Sequence, residues 1–180
     1  QMELNRGIQI TDAADVFLER RQKLRKAVVY VLITESACRH PWQRVVEAAL
    51  RGGADVLQLR EKELNDRELM HRARWITDAC RNAGCLSIVN DRADVAVAAN
   101  ADGVHVGQEE LTAQEVRAIL RPDQLLGIST HTLEQAQAAQ SDGADYIGVG
   151  PTFPTATKSF SEFSGLPFVT EVNRSIQLPA

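Results

Sequence analysis

The stretch RGGADVLQLREK (residues 51–62) carries the signals that decide the fold. Its glycine pair ends an amphipathic helical segment, because glycine readily adopts the left-handed backbone that closes a helix. The apolar run that follows is typical of a strand buried on both faces, as in a parallel sheet. The run then ends in charged residues. The stretch therefore predicts, in order, a helix end, a buried strand and a polar loop.

The same pattern recurs along the chain. The triplets ADG (101–103) and GAD (143–145) precede two later apolar runs, just as GAD (53–55) precedes the first. Alternation of apolar runs with helical segments predicts βαβ units with right-handed crossovers. Strands are predicted at 28–34, 54–60, 86–91, 103–106, 125–129 and 146–150. Helices are predicted at 42–53, 65–84, 92–103, 112–121 and 130–143.

Two α/β architectures share this alternation: a doubly wound sheet and a TIM (β/α)8 barrel. The barrel is favoured because residues capable of chemistry end almost every predicted strand, and barrels collect their sites at that face. The chain also lacks the G-x-G-x-x-G motif expected of a Rossmann sheet. With six predicted strands, the barrel is expected to be incomplete after strand six. The predicted domains are a helical extension or linker at 1–26 and a barrel at 27–180.

Composition excludes several classes of protein. A net charge of −4 without a basic stripe argues against a nucleic-acid surface, and no apolar stretch approaches membrane-spanning length. The N-terminal residues lack the basic start and apolar core of a signal peptide. Cys38, Cys80 and Cys85 follow no disulfide or zinc spacing, which indicates a reducing compartment and predicts a cytoplasmic protein.

Basic and amide side chains follow the second predicted strand. Because side chains alternate along a strand, Gln58, Arg60 and Lys62 share one side and are expected to face the barrel mouth. An amide, a guanidinium and an ammonium form a suitable cradle for phosphate oxygens. A solvated loop with an internal ion pair between Arg60 and Glu61 is the alternative.

Carboxylates follow the next two strands. Asn90 and Asp91 end the third strand, and Glu109 and Glu110 lie on the loop after the fourth. Asp91 is also a candidate N-cap for the following helix. Two loops with oxygen ligands beside a basic cradle suggest Mg²⁺ held together with a diphosphate.

Hydroxyl groups follow the last two predicted strands. Ser129 ends the fifth strand, and the loop GPTFPTATKS (150–159) supplies Thr155, Thr157 and Lys158. Thr130 or Thr132 is expected to cap the next helix, and His105 and His131 are interpreted as structural. The combined residue types predict a site for one or two phosphorylated substrates with a divalent metal.

Five motifs together resemble the thiamine-phosphate synthase family: QLREK (58–62), NDR (90–92), ADGVHVGQEEL (101–111), LGISTHT (126–132) and GADYIGVGPTFPTATKS (143–159). The resemblance covers about Val29 to Gly165, with the motifs in order. It implies a (β/α)8 barrel that condenses 4-amino-5-hydroxymethyl-2-methylpyrimidine diphosphate with 4-methyl-5-(2-phosphoethyl)thiazole, or its carboxylated form. The products would be thiamine phosphate and pyrophosphate, with Mg²⁺ as cofactor.

The resemblance also implies residue roles. Pyrimidine-diphosphate binding is expected of Gln58, Leu59, Arg60, Glu61, Lys62, Asn90, Ser129 and Lys158. Thiazole-phosphate binding is expected of Thr155, Ala156 and Thr157. Catalysis is expected of Arg60, Lys62 and Lys158, and Mg²⁺ binding of Asp91 and Glu110. The family usually has Asp where this chain has Glu110, so the side chain that reaches the metal is one methylene longer.

Two other functions stay open at this point. One is a thiazole tautomerase, a relative that would not use a complete diphosphate cradle. The other is a non-catalytic ligand-binding domain of a fused protein. The N-terminal segment at 1–26, a possible linker from an upstream domain, is compatible with it. A homo-oligomer and a fused upstream domain are compatible with the sequence.

Overall fold

The computed structural model describes residues 12–153 and 165–180, and its centre is a parallel sheet of six strands. The strands are β1 (Tyr30–Ile33), β2 (Val56–Leu59), β3 (Leu86–Asn90), β4 (Gly103–Val106), β5 (Leu125–Thr130) and β6 (Tyr146–Val149). Their order in the sheet is their order in the chain. A doubly wound sheet would reverse its strand order partway, so the predicted barrel is confirmed as a curled half-barrel in the described ranges.

Helices connect the strands. They are α1 (Ala13–Lys26), α2 (Trp42–Arg51), α3 (Asp66–Ala83), α4 (Ala93–Ala98), α5 (Ala113–Ile119), α6 (Leu133–Ser141) and α7 (Gly165–Ser175), with a short 3-10 helix at Glu35–Ala37. Local caps close several helix ends: Asn65 accepts from the Glu68 amide at the start of α3, and Gly84 closes that helix with φ 73°. Thr132 accepts from the Gln135 amide and so caps α6. Helix α7 was not predicted from the sequence. No helix in the described ranges is long and apolar enough to cross a membrane.

Side chains from the sheet form two separate cores. Outward residues such as Leu57, Leu59 and Val104 pack against the helices. Inward residues near the amino ends of the strands form a smaller cluster with α1, made up of Leu24, Val56, Leu86, Ile88, Leu125 and Tyr146. Two cores on opposite faces explain why the strands read as continuous apolar runs.

The aspartates of the repeated triplets join neighbouring strands at their amino ends. Asp55 accepts from the amides of Val28 and Val29, at 2.8 and 2.9 Å. Asp102 accepts from the Ser87 amide at 2.8 Å, and Asp145 from the Leu126 amide at 2.9 Å. The three carboxylates therefore join β1 to β2, β3 to β4 and β5 to β6.

Helix α1 lies against this same end of the sheet. Arg20 pairs with Asp102 at 2.7 Å and with Asp123 at 2.6 Å, and Arg21 lies 3.5 Å from Asp145. Leu24 is 5% exposed in the inner core. The described part of the N-terminal extension thus closes the amino end of the half-barrel with both charge and apolar contact.

Candidate active site

A cavity of about 630 Å³ occupies the interior of the half-barrel. Each of the six strands contributes a side chain to its wall: Tyr30, Gln58, Asn90, His105, Ser129 and Tyr146. Arg60, just beyond β2, and Thr34, just beyond β1, line the same space. Barrels place their active sites at the carboxyl ends of the strands, so this cavity is the candidate site.

Alternation along β2 divides the QLREK motif between two environments. Gln58 and Arg60 line the cavity, whereas Lys62, which was expected on the same side, is not among the lining residues. Leu59 is 1% exposed and lies in the outer core, so any ligand contact from this residue would come from its backbone. The Arg60 backbone is fixed on both sides, because its amide donates to the Ile33 carbonyl and its carbonyl accepts from the Thr34 hydroxyl at 2.7 Å.

Glu61 points away from the cavity and into a charged cluster. Its carboxylate accepts from Arg72 at 3.2 Å and from the Glu35 amide at 2.7 Å. Arg72 also pairs with Glu35 and Glu68, and its guanidinium lies 5.2 Å from the Trp42 ring centroid. The side chain of Arg72 is 7% exposed. The alternative for this loop was an internal ion pair between Arg60 and Glu61. Glu61 pairs with Arg72 instead.

The loops after β2 and β3 approach each other outside the cavity wall. Lys62 is half exposed, and its ammonium lies 3.8 Å from the Asp91 carboxylate. The Asp91 amide donates to the His105 carbonyl, and its backbone has φ 63°. The N-cap position of α4 is Arg92, so the predicted capping role of Asp91 is wrong. The left-handed backbone turns the chain at Asp91 before the helix begins.

Glu110 lies on the exposed loop after β4. Its carboxylate folds over Gly107, where a Cβ atom would overlap the glutamate oxygen. In the described part of the chain, no three His, Cys, Asp or Glu side chains are grouped to hold a metal. Asp91 and Glu110 follow adjacent strands, and two carboxylates suit Mg²⁺ when a ligand supplies further oxygens. The donor set therefore fits a metal shared with a phosphorylated ligand.

A continuous hydrogen-bonded chain crosses the cavity wall. The Gln58 amide donates to the Tyr30 hydroxyl at 2.7 Å, and that hydroxyl lies 3.0 Å from the Tyr146 hydroxyl. Tyr146 then lies 3.2 Å from Nδ1 of His105, and Nε2 of His105 lies 2.9 Å from Oγ of Ser129. We call these five residues the lumen chain. It links side chains of β2, β1, β6, β4 and β5.

Burial keeps the two phenols of the lumen chain protonated. Desolvation is the main cause that raises the pKa of Tyr30 to about 12, against the lowering effect of its bonds to Tyr146 and Gln58. Desolvation also raises the pKa of Tyr146 well above its usual value. Each phenol therefore has one hydrogen to donate across the physiological range.

Two glycines make room for the lumen chain. A Cβ atom at Gly127 would overlap the Tyr146 ring, and one at Gly148 would lie 3.2 Å from Cε1 of His105. Sequence reasoning missed Tyr30 and Tyr146 and interpreted His105 as structural. The signal in the sequence was the alternation of side chains along each strand. It places Tyr30, Gln58, His105 and Tyr146 at inward positions. Gly127 and Gly148 also fall at inward positions of buried strands, where a larger side chain is usual.

Of the remaining predicted residues, some line the cavity and others lie outside the described ranges. Asn90 and Ser129 line the cavity, and their roles in ligand binding stay predictions. Gln108, also on the loop after β4, donates to the Ser129 carbonyl at 2.6 Å. Thr155, Ala156, Thr157 and Lys158 lie outside the described residues, so their roles stay predictions.

Comparison with known proteins gives the family. A model of the thiamine monophosphate synthase family matches residues 29–180. The chain is 44% identical over 151 residues to a chloroplastic thiamine biosynthetic bifunctional enzyme of Arabidopsis thaliana, covering 82% of this chain and 29% of that protein. It is 43% identical over 144 residues to thiamine-phosphate synthase of Shouchella clausii, covering 78% and 69%. The solved thiamine phosphate pyrophosphorylase from Pyrococcus furiosus matches with a TM-score of 0.79 at 33% identity, covering 88% of this chain and 74% of that one.

Coverage of the relatives varies. The chain spans less than a third of the plant enzyme and 41% of the thiamine-phosphate synthase of Rhodopirellula baltica. The family match nevertheless takes in all six strands and the whole cavity wall that they form. The chain belongs to the thiamine monophosphate synthase family.

Proposed function

We propose that this protein condenses 4-amino-5-hydroxymethyl-2-methylpyrimidine diphosphate with 4-methyl-5-(2-phosphoethyl)thiazole, giving thiamine phosphate and pyrophosphate. The observation that carries the proposal is the cavity wall, which combines the amides of Gln58 and Asn90, the guanidinium of Arg60 and the hydroxyl of Ser129. The amides can recognise a nitrogen heterocycle. The guanidinium and hydroxyl can bind phosphate oxygens.

The reaction needs no nucleophile from the protein, but it needs a stabilised leaving group. The bond between the pyrimidine methylene carbon and the diphosphate oxygen breaks, and the electron pair leaves with pyrophosphate. The thiazole nitrogen then adds to the methylene cation. In this proposal Arg60, Lys62 and Lys158 neutralise the charge that develops on pyrophosphate, which is electrostatic stabilisation of the transition state. Holding both rings in one cavity supplies proximity.

Asp91 and Glu110 are the proposed Mg²⁺ ligands. Mg²⁺ would stabilise the departing pyrophosphate as a Lewis acid. Lys62 lies 3.8 Å from Asp91, which supports a role for this lysine beside the same diphosphate. Thr155, Ala156 and Thr157 are proposed to bind the thiazole phosphate. The free thiols of Cys38, Cys80 and Cys85 fit the cytoplasmic location that the sequence predicts.

The first prediction tests this function directly. We expect the purified protein to form thiamine phosphate when both precursors and Mg²⁺ are supplied. Arg60→Ala and Lys158→Ala should each lower turnover by about a hundredfold, because each removes a charge from the transition-state cradle. Product is measured by chromatography. Arg81→Ala is the control, because Arg81 is 58% exposed on α3 and faces Asp78.

Two outcomes would contradict the proposal. Unchanged turnover in both Arg60→Ala and Lys158→Ala would refute the assigned site. Binding of both precursors with no product from the wild-type protein would instead favour the non-catalytic binding domain. Aromatisation of a thiazole without coupling would identify a tautomerase.

A further inference from the structure

The carboxyl end of helix α3 brings two cysteines together. Gly84 takes the left-handed backbone with φ 73°, and the Cys85 amide donates to the Cys80 carbonyl at 3.0 Å. A helix end of this kind, with a backbone bond that spans six residues, typically brings the side chains of the first and last of them into contact. Here those two side chains are the thiols of Cys80 and Cys85. Their spacing in the sequence matches no disulfide motif, because the contact depends on the left-handed turn between them.

The same backbone bond limits how far apart the two cysteines can lie. With ordinary bond lengths on either side of it, a 3.0 Å bond between the amide and the carbonyl keeps the two Cα atoms within about 7 Å. Cysteines further apart than that cannot be bridged unless the backbone moves. Cys80 is fully buried, Cys85 is 6% exposed, and both side chains belong to the outer core. The fold therefore holds the two thiols within reach of each other.

The two thiols differ in acidity. A hydrogen bond from the Cys80 thiol lowers the pKa of Cys85. The Leu57 amide acts in the same direction, whereas burial and the charges of Asp102 and Asp55 oppose it. The contact with Cys85, together with burial, raises the pKa of Cys80. Because the thiolate is the reactive form of cysteine, Cys85 is the thiol that reacts first with an oxidant.

We propose that Cys80 and Cys85 form a reversible disulfide in the folded protein, with a peroxide as the oxidant. The Cys85 sulfur attacks one peroxide oxygen, the O–O bond breaks, and a sulfenic acid and one water form. The Cys80 sulfur then attacks the sulfenic sulfur, the S–O bond breaks, and a second water leaves as the S–S bond forms. Two electrons pass from the two sulfurs to the peroxide, and the two thiol hydrogens leave in the waters. A dithiol reductant reverses the change, as suits a reducing compartment.

The disulfide joins the last turn of α3 to the residue that precedes β3. This is the amino end of the sheet, opposite the strand ends from which Arg60 and Asn90 enter the cavity. Closing a six-residue loop restricts the unfolded chain, so the oxidised protein should melt roughly 5 °C above the reduced protein. The bond thus stabilises the fold without changing the cavity wall.

Peptide mapping after treatment of the folded full chain with hydrogen peroxide tests the pairing. Trypsin cuts after Arg74, Arg81 and Arg92, so the two cysteines fall in separate peptides, 75–81 and 82–92. We expect mass spectrometry to find these two peptides joined, with a loss of two hydrogen atoms, and to find them separate after dithiothreitol. Oxidation that stops at a Cys85 sulfenic or sulfinic acid, or a disulfide to Cys38, would overturn the proposal.

Cys38→Ser is the matched control. Cys38 follows the 3-10 helix beyond the carboxyl end of β1, where its thiol donates to the Thr34 carbonyl at 3.3 Å. Its loss should leave the rate and the yield of the joined peptides unchanged. Cys80→Ala should instead leave a Cys85 sulfenic acid that dimedone traps, because the thiol that resolves it is gone.

Melting of the oxidised and reduced wild-type protein tests the effect of the bond without any substitution. A melting temperature that rises on oxidation and returns with dithiothreitol is the expected result. A joined peptide pair with an unchanged or lower melting temperature would refute the stabilising role. Neither measurement uses a substrate, so the outcome is independent of the proposed function.

Discussion

Gly127 shows how one residue decides what a strand can present to the cavity. Inward positions of a buried strand normally carry side chains that fill the interior. At Gly127 that space is taken by the Tyr146 ring and by Nδ1 of His105. Because Gly127 has no side chain, the polar rings of Tyr146 on β6 and His105 on β4 can meet at this position of β5.

A graded pair of glycine substitutions tests this packing. Gly127→Ala should destabilise the fold by roughly 1–3 kcal/mol, the cost of forcing a methyl group into a filled interior. Gly148→Ala should cost less, because its Cβ would lie 3.2 Å from the His105 ring edge and a small shift relieves it. The free energy of unfolding is measured in urea. Equal stability of Gly127→Ala and the wild type would contradict the packing described.

At the scale of elements, ion pairs join the ends of strands to the helices behind them. Arg72 on α3 meets Glu61 after β2, Glu35 in the 3-10 helix and Glu68 on its own helix. Alternation along β2 sends Arg60 inward and Glu61 outward to Arg72. The cluster thereby fixes the loop from which Arg60 enters the cavity.

Removing the guanidinium should be costly. Arg72→Met keeps most of the apolar contact with Trp42 but leaves the Glu61 carboxylate, whose side chain is 9% exposed, without its cationic partner. Breaking a buried pair from one side costs about 3–5 kcal/mol. Arg81→Met on the same helix removes an exposed pair and should cost about 0–1 kcal/mol. Comparable melting temperatures for the two variants would show that the cluster does not hold the loop.

The ends of helices could be predicted from the sequence where they depend on residues next to each other in the chain. A residue whose position depends on a neighbouring strand could not be placed in this way. The glycine pair marks a helix end through its backbone, and Asn65 and Thr132 mark helix starts through their side-chain oxygens; the structure has helix ends at all three places. Asp91 was assigned to a cap by the same reasoning, yet its carboxylate lies beside Lys62. That position is set by the adjoining strand, through the bond from its amide to His105, which no local pattern encodes.

At the scale of the whole molecule, the site depends on pairings between distant residues. Arg60 and Ser129 were predictable because each directly ends a strand, and strand ends converge in a barrel. Tyr30 and Tyr146 are 116 positions apart and bond each other only because the sheet curls. The same curvature brings the arginines of α1 onto Asp102, Asp123 and Asp145. Long-range contacts of this kind depend on the curvature of the sheet, and the pattern of apolar and polar residues does not predict that curvature.

The aspartates at the amino ends of the strands predict how stability depends on pH. Backbone hydrogen bonds from Val28 and Val29 hold the pKa of Asp55 below its usual value. A carboxyl group whose pKa is lower in the folded state than in the unfolded chain favours folding in its ionised form. Its contribution is therefore fully present above the unfolded pKa of about 3.9 and is lost as pH falls through the lower folded pKa.

Asp55→Asn tests this dependence, because the amide keeps the size of the side chain but does not titrate. We expect the wild type to be more stable than Asp55→Asn at pH 7, and the difference to shrink as the pH falls below about 3.9. Urea unfolding at a series of pH values gives both curves. Val46→Ala is the control: Val46 is fully buried and uncharged, so its stability deficit should stay constant over the same range. A difference for Asp55→Asn that is equally constant would mean that the bonds to Val28 and Val29 do not favour the ionised carboxylate, and that the strand-joining role belongs to the side chain's shape alone.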